Sequence, residues 1–139
     1  MYNSLSLPTL LPQVVEATRD PEYSVREGAQ YALLRLAEQC YPTILYHHSM
    51  LVPAIVCGLD DPEPSVQRLA CLHAEHLFEQ LHSKTVAHYL PEIMPKLISL
   101  MTSPIDNVKK FAISATGPIG GAAEKLFKPY LQVSNLHAL

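Results

Sequence analysis

The residues of this sequence that could do chemistry are few, and their spacing keeps them apart. Cys71, His73 and His76 lie within six residues of one another. On a helix His73 and His76 would share a face and could ligate a metal, whereas Cys71 would point about 200° away from His73. We therefore expect a buried thiol and two surface histidines rather than a metal site. The pair His47-His48 is expected to be a solvated turn between repeats.

Motifs for nucleophilic or phosphate chemistry are missing from the sequence. No Gly-x-Ser-x-Gly elbow occurs, and the glycine-containing run at 117–121 lacks the lysine and the preceding strand of a phosphate-binding loop. The sequence therefore predicts neither an enzyme nor a cofactor site.

Composition limits the function classes further. Hydrophobic residues make up 48% of the 139 residues and charged residues 17%, which indicates a folded chain with a large core. The net charge of −3 disfavours nucleic acid as a direct partner. No apolar run approaches the roughly 20 residues that cross a bilayer, and residues 1–12 predict no signal peptide. Three cysteines without a Cys-x-x-Cys pair suit a reducing compartment.

An internal repeat is the strongest pattern in the chain. Three sets of residues recur at intervals of 41 and then 42 residues, and they are Pro12, Pro53 and Pro95; Pro21, Pro62 and Pro104; and Val25, Val66 and Val108. Such a period is that of HEAT and armadillo repeats and not of 34-residue tetratricopeptide units.

Apolar residues between these landmarks follow the period of an α-helix. In the first repeat they are Val25, Ala29, Leu33, Leu36, Ala37 and Cys40, and their counterparts are Val66, Ala70, Ala74, Leu77, Phe78 and Leu81, then Val108, Ala112, Thr116, Ile119, Gly120 and Ala123. Each repeat therefore predicts two antiparallel helices, A and B, with helix A behind the first proline and helix B starting at the second. Ser24, Ser65 and Asn107, or the Asp before the proline, are expected to cap helix B.

The fold predicted is all-α, a right-handed α-solenoid of about three helical hairpins plus part of a fourth, because one hairpin cannot bury its apolar face alone. We expect repeats at about 5–46, 47–87 and 88–128, with a partial fourth at 129–139. Both ends of the sequence resemble repeats from the middle of an array, so we expect the chain to be a segment of a longer solenoid. Gly117-Pro118 predicts a kink in the third helix B.

The motifs resemble known families. Asp20 to Arg26 with Ala29 to Leu33 resembles the HEAT repeat consensus. Tyr89 to Leu97 and Leu51 to Pro62 resemble the importin-β (karyopherin) superfamily, and within it the importin-four type. Two positions depart from the pattern, since Gln67 stands where the first repeat has Arg26 and Ser103 where it has Asp20. The Asp-to-Arg ladder between HEAT turns is therefore expected to be incomplete.

The resemblance implies a nuclear transport receptor in cytoplasm and nucleus, with protein cargo, the small GTPase Ran and Phe-Gly nucleoporins as partners. It also implies that the B helices line the concave, cargo-binding side. The outward residues expected there are Glu27, Gln30, Arg35, Glu38, Arg68, Glu75, His76 and Glu79. The alternative is a non-transport HEAT scaffold or regulatory subunit. An enzyme of the deoxyhypusine hydroxylase class is disfavoured, because the chain has no His-Glu dipeptide for its iron.

Overall fold

A computed structural model describes residues 6–122 of the chain. Those residues form six α-helices and no strand: α1 Leu7–Ala17, α2 Tyr23–Gln39, α3 His48–Leu59, α4 Pro64–Gln80, α5 Ser83–Leu100 and α6 Asp106–Ala122, with a 3₁₀ turn over Thr43–His47. None of these helices has the length and apolar character needed to cross a membrane. The expected partial fourth repeat lies outside the described residues.

Consecutive helices pair as three hairpins, and the hairpins stack side by side. Helices α1, α3 and α5 form one layer, which we call the A layer, and α2, α4 and α6 form the B layer. Within the B layer α4 packs between α2 and α6, and within the A layer α3 contacts both α1 and α5. This arrangement is the α-solenoid that the repeat predicted. The division into repeats at about 5–46, 47–87 and 88–128 remains our proposal, and α5 begins five residues before the third of them, at Ser83.

The core consists of the apolar positions that recur from repeat to repeat. In α4 the buried set is Val66, Ala70, Ala74, Leu77 and Phe78, each at most 1% exposed. Val25 is the exception, since it is 40% exposed whereas Val66 and Val108 are 0% exposed. Helices α4 and α6 each pack on the helix B of a preceding hairpin, whereas α2 has no preceding hairpin among residues 6–122. Of the other predicted positions, Leu81, Thr116 and Gly120 are half-buried, and Ala123 lies outside the described residues.

The repeated prolines of helix A were placed wrongly by the sequence. Pro12, Pro53 and Pro95 lie inside α1, α3 and α5 and not in front of them. A proline inside a helix leaves the carbonyl four residues earlier without its usual partner. Pro12 and Pro95 are exposed, so water can satisfy that carbonyl on the outer surface of the A layer.

The turn before helix B agrees with the prediction only in part. Helices α2 and α4 start two residues after Pro21 and Pro62, and their N-cap residues, Glu22 and Glu63, make no side-chain cap. The residue before each proline acts instead, because Asp20 Oδ1 accepts the N–H of Glu22 at 2.9 Å. In the next two repeats Asp61 Oδ1 accepts from Glu63 at 3.0 Å and Ser103 Oγ accepts from Ile105 at 3.1 Å. Ser24, Ser65 and Asn107, which were also expected to cap helix B, are instead the second residues of α2, α4 and α6.

Helix α6 runs through Pro118, which lies inside it. Proline has no N–H to donate to the carbonyl four residues earlier, and a helix can remain continuous while it bends at such a position. The kink expected at Gly117-Pro118 therefore stays a prediction.

Candidate protein-binding face

Seven of the eight residues predicted to bind protein lie on the solvent side of the B layer. They are Glu27, Arg35 and Glu38 on α2 and Arg68, Glu75, His76 and Glu79 on α4, and we call this surface the B-helix face. Arg35, Glu38 and Glu79 are exposed, and the other four are half-buried. The face carries four carboxylates against two guanidinium groups, so it is acidic.

Gln30, the eighth predicted residue, is not on this surface. Its side chain is 0% exposed, and its Nε2 donates a hydrogen bond of 2.9 Å to the carbonyl of Ala54 on α3. The contact needs Gly58, because a Cβ there would lie 2.6 Å from Gln30 Nε2. The sequence prediction was wrong because polarity alone does not tell an outward side chain from one that hydrogen-bonds to the neighbouring hairpin.

Some charged side chains of the B-helix face have an ion-pair or hydrogen-bond partner among the described residues, and others have none. Arg35 pairs with Glu38 at 3.6 Å, and both side chains are about half exposed. The hydroxyl of Ser114 on α6 donates to Glu75 Oε1 at 2.7 Å. Within residues 6–122, Glu27 and Glu79 make no ion pair or side-chain hydrogen bond, so their carboxylates are open to a partner.

A basic side chain on the same face is held in place by an aromatic ring. The guanidinium carbon of Arg68 lies 5.8 Å from the centroid of Phe111 on α6. This is a cation–π contact between the second and third hairpins. Arg68 is thereby oriented across the junction of α4 and α6.

Tyr31 is the residue of this surface that the sequence reasoning missed. It lies one helical turn from both Glu27 and Arg35, and its side chain is 54% exposed. Tyrosine is common at the centre of protein interfaces, because its ring buries a large area while its hydroxyl stays hydrogen-bonded. The spacing of four residues from Glu27 was the available signal. Tyr31 and Glu27 together form the apolar and acidic part of the B-helix face.

The histidines of α4 are not both on the surface. His76 is half-buried, but His73 is 0% exposed, and neither of its ring nitrogens has a hydrogen-bond partner among the described residues. Burial, with a smaller effect of His76, lowers the pKa of His73 to about 3, so the ring is neutral. Burial raises the pKa of the Cys71 thiol to about 12. Within residues 6–122 no three histidine, cysteine or acidic side chains gather into a metal-binding group.

His48 is a structural contact and not the solvated turn that was expected. It begins α3, and its Nδ1 lies 2.6 Å from the hydroxyl of Tyr89 on α5. Burial is the main cause that raises the pKa of Tyr89, followed by the nearby Glu92 carboxylate. The two rings also meet edge to face at 5.6 Å, so the pair links two neighbouring helices of the A layer.

The turns of the first two hairpins are joined by an ion pair. Arg26 Nε donates to Asp61 Oδ2 at 2.7 Å, its second nitrogen reaches Oδ1 at 3.3 Å, and the Asp61 side chain is 3% exposed. The hydrogen bond to Asp61 is the main cause that raises the pKa of Arg26. One step along, Gln67 bonds only to the carbonyl of Asp61, at 2.7 Å, and Ser103 offers no charge. The ladder is incomplete as the sequence predicted.

An open groove lies between the first two helices of the A layer. Its apolar wall is formed by Pro12 and Val15 on α1 and Met50 on α3, and charged side chains of Glu16 and Arg19 border it. A groove of this kind accepts a small apolar or aromatic side chain with polar groups at its rim.

Comparisons with known proteins agree with this geometry. The HEAT repeat family profile matches residues 10–40. The chain is 27% identical over 128 residues to a probable importin subunit beta-4 from Schizosaccharomyces pombe, covering 91% of this chain and 12% of that protein. It is 29% identical to a transportin from Dictyostelium discoideum, covering 95% of this chain and 14% of the relative. The stalled ribosome sensor GCN1 of Homo sapiens is 28% identical and is matched over 4% of its length.

Solved structures show the same fold. The karyopherin Kap121p superimposes with a TM-score of 0.85 at 23% identity, over 94% of this chain and 13% of its own. The chain thus has the α-solenoid fold of HEAT-repeat proteins. More specifically, it resembles the importin-β, or karyopherin, superfamily, and it spans about an eighth of the length of the importin relatives that it matches.

Proposed function

We propose that this chain is a protein-binding HEAT segment of a nuclear transport receptor of the importin-β type, which carries protein cargo through the nuclear pore. The observation that carries the proposal is the similarity to importin beta-4 and transportin over at least nine-tenths of the chain. Cargo transport, movement between cytoplasm and nucleus, and binding of Ran are parts of this proposal, because the match spans only 12% to 14% of those relatives. The proposed role is binding rather than catalysis.

The B-helix face is the proposed cargo surface. Its open carboxylates, Glu27 and Glu79, would attract a basic peptide segment, and the exposed ring of Tyr31 would pack against the apolar parts of that segment. Kap121p, which shares the fold, has been crystallised with the proteins Pho4p and Ste12p and with the SUMO protease Ulp1p bound. The acidic character of the B-helix face supports a lysine- and arginine-rich segment as the cargo element that it binds.

The groove between α1 and α3 is the proposed site for Phe-Gly nucleoporin segments. Its wall of Pro12, Val15 and Met50 is apolar, and its position in the A layer keeps it separate from the B-helix face. A receptor could thus hold cargo and a nucleoporin on opposite layers at the same time. Kap121p has also been crystallised with Nup53p bound.

A charge-neutralising series tests the cargo surface. We expect a labelled lysine- and arginine-rich peptide to bind the chain with an affinity that falls with added salt, measured by fluorescence anisotropy. Glu27→Gln and Glu79→Gln should each weaken binding by about two- to fivefold, the range for one exposed charge pair. The matched control is Glu92→Gln on α5, which removes one exposed carboxylate from the A layer. Equal losses for all three variants, or no binding, would contradict the assignment.

The scaffold alternative has one observation in its favour, the similarity to the ribosome sensor GCN1. Transport and scaffold roles share the fold and differ in partners. If the chain comes from a transport receptor, the immobilised chain should retain Phe-Gly nucleoporin segments, and Ran-GTP should compete with them for binding. Retention of the basic peptide without either of these partners would favour the scaffold role. Met50→Asp should abolish the nucleoporin interaction while leaving peptide binding unchanged.

A further inference from the structure

A cleft lies between the N-terminal turns of α4 and α6, beside the B-helix face, with which it shares Arg68. It has a volume of about 220 Å³, and its three apolar and three polar lining residues are Pro64, Ile105 and Val108, and Ser65, Arg68 and Asn107. Pockets that enclose a whole small molecule are larger, at about 300–1,000 Å³. In a stacked array a further hairpin packs beside α2 or beside α6, so this cleft stays open in a longer solenoid. It can therefore receive a side chain of a protein partner.

The apolar part of the cleft includes an exposed side chain where the other two repeats have a carboxylate. Ile105 directly precedes α6 and is 44% exposed, and it occupies the position of Glu22 and Glu63. The turn does not depend on this side chain, because Ser103 Oγ accepts the Ile105 N–H at 3.1 Å. Pro64, the first residue of α4, is exposed as well. Ile105 and Pro64 thus form an apolar surface that an aliphatic side chain can cover.

The polar part of the cleft carries a positive charge without a counterion. The guanidinium of Arg68 is half-buried, and among residues 6–122 it makes no ion pair and no hydrogen bond. The ring of Phe111 contacts this guanidinium and leaves its charge in place. Of the described residues that line the cleft, none is acidic. The side chains of Ser65 and Asn107 have no hydrogen-bond partner among the described residues either, so a carboxylate here would meet one cation and two possible donors.

The same positions at the junction of α2 and α4 have the opposite charge. Glu27 occupies the position of Arg68, 41 residues earlier, and Glu63 occupies that of Ile105, 42 residues earlier. A carboxylate of a partner would be repelled at the first junction and attracted at the second, and the reverse holds for a lysine or arginine. The two junctions therefore select segments of opposite charge.

We propose that the cleft between α4 and α6 binds an aliphatic side chain and the carboxylate of a neighbouring residue in a protein partner, with Ile105 and Pro64 packing on the aliphatic group and Arg68 pairing with the carboxylate. The inference rests on the proposed role of the B-helix face in binding a protein segment. It adds that the bound segment has two parts, a basic part over the carboxylates of Glu27 and Glu79 and an aliphatic-acidic part at the cleft. Opposite charges at the two places fix the direction in which the segment lies across the face.

Peptide titrations followed by NMR test the proposal on the isotope-labelled chain. The probe is a blocked peptide of glycine and serine with a central Leu-Asp pair. We expect saturable shifts that are largest for the methyl signals of Ile105 and the side-chain N–H of Arg68. Arg68→Glu should weaken binding by about fivefold or more, because two carboxylates then face each other. The matched control is Lys109→Gln, which removes a positive charge of α6 outside the cleft and should change the affinity by less than about twofold.

A double variant tests whether these positions determine the preference. Arg68→Glu with Ile105→Glu gives the second junction the residue types of the first. It should lose the Leu-Asp peptide and bind a peptide with a Leu-Lys pair instead, whereas the wild type should prefer the Leu-Asp peptide. Both side chains lie at the surface of their helices, so circular dichroism and melting should match the wild type and exclude unfolding as the cause.

The outcomes separate this inference from the proposed function. No saturable shift, shifts that avoid the cleft, or equal affinity of the wild type and Arg68→Glu for the Leu-Asp peptide would overturn the inference. Binding of the lysine- and arginine-rich peptide without binding of the Leu-Asp peptide would overturn it too, and would leave the proposed cargo surface intact. Binding of the Leu-Asp peptide alone would support the cleft and contradict the basic cargo segment.

Discussion

The two junctions between hairpins are built from the same repeat but are stabilised differently. The first junction buries two polar groups. They are the carboxylate of Asp61, which pairs with Arg26, and the amide of Gln30, which donates to the backbone of α3. At the second junction the aligned polar pair, Gln67 and Ser103, makes no ion pair. The first junction therefore depends on a buried polar network, and the second does not.

The second junction replaces this network with apolar packing and contacts at its edges. Helix α6 packs on α4, and its buried apolar side chains are Val108, Ala112, Ala115 and Ile119. Around them lie the Arg68–Phe111 contact, the Glu75–Ser114 hydrogen bond and an exposed ion pair of 2.9 Å between Lys96 and Asp60. A HEAT solenoid can thus keep one geometry with either kind of junction, provided that the helices bury the same positions.

The largest expected effect breaks both junctions at once. Phe78 is 1% exposed on α4 and meets Tyr89 on α5 at 6.4 Å, so Phe78→Asp places an unpaired charge in the shared core. We expect loss of cooperative thermal unfolding by circular dichroism, and the same result for Leu36→Asp. Tyr46→Asp is the control, because Tyr46 is 84% exposed and its variant should melt like the wild type. Unchanged melting of Phe78→Asp would contradict the repeat register.

A smaller effect comes from pH acting on α4, the helix common to both junctions. His73 has a pKa lowered from 6.5 to about 3, so the unfolded chain binds its proton first as pH falls. The stability that depends on this neutral ring is therefore present above pH 6.5 and is lost progressively as the pH falls from 6.5 towards about 3. Denaturant titrations at pH 7 and pH 5 should show this loss in the wild type and a smaller one in His73→Leu. Equal pH dependence in both proteins would contradict the burial of His73.

The next effect separates the two junctions. Asp61→Ala removes a buried carboxylate that binds Arg26 and a backbone N–H, and we expect a loss of about 2 kcal/mol in the free energy of unfolding. Ser103→Ala removes only one exposed hydrogen bond at the aligned position, so its loss should stay under about 1 kcal/mol. Urea titration of both variants measures the difference. Similar losses would mean that the Arg26 pair does not distinguish the junctions.

The smallest expected effect comes from adding the ion pair that the second junction lacks. Gln67→Arg with Ser103→Asp recreates the Arg26–Asp61 pair at the second junction, and the new aspartate can still accept the Ile105 N–H. We expect a gain of about 0.5–1 kcal/mol from the double variant and nearly none from Gln67→Arg alone. Thermal melts of the two variants and the wild type would measure it. A gain from the single variant equal to that of the double one would exclude a specific pair.

The sequence alone determined the repeat, the helical hairpins and most of the core. Prolines and valines at 41- and 42-residue intervals set the register, and apolar residues at helical spacing marked what would be buried. These features depend on local periodicity, which a single sequence contains in full. The absence of an Asp-to-Arg ion pair at the second junction was also predictable, because it follows from the residue types at Gln67 and Ser103.

Only the tertiary structure decided how individual polar and apolar side chains face their neighbours. Gln30 is buried by α3, His73 is buried without partners, and Val25 is exposed although it repeats a core position. The sequence also did not reveal that Pro12, Pro53 and Pro95 lie within helices. Burial in a solenoid depends on whether a hairpin lies on each side, and this depends on packing between segments about forty residues apart.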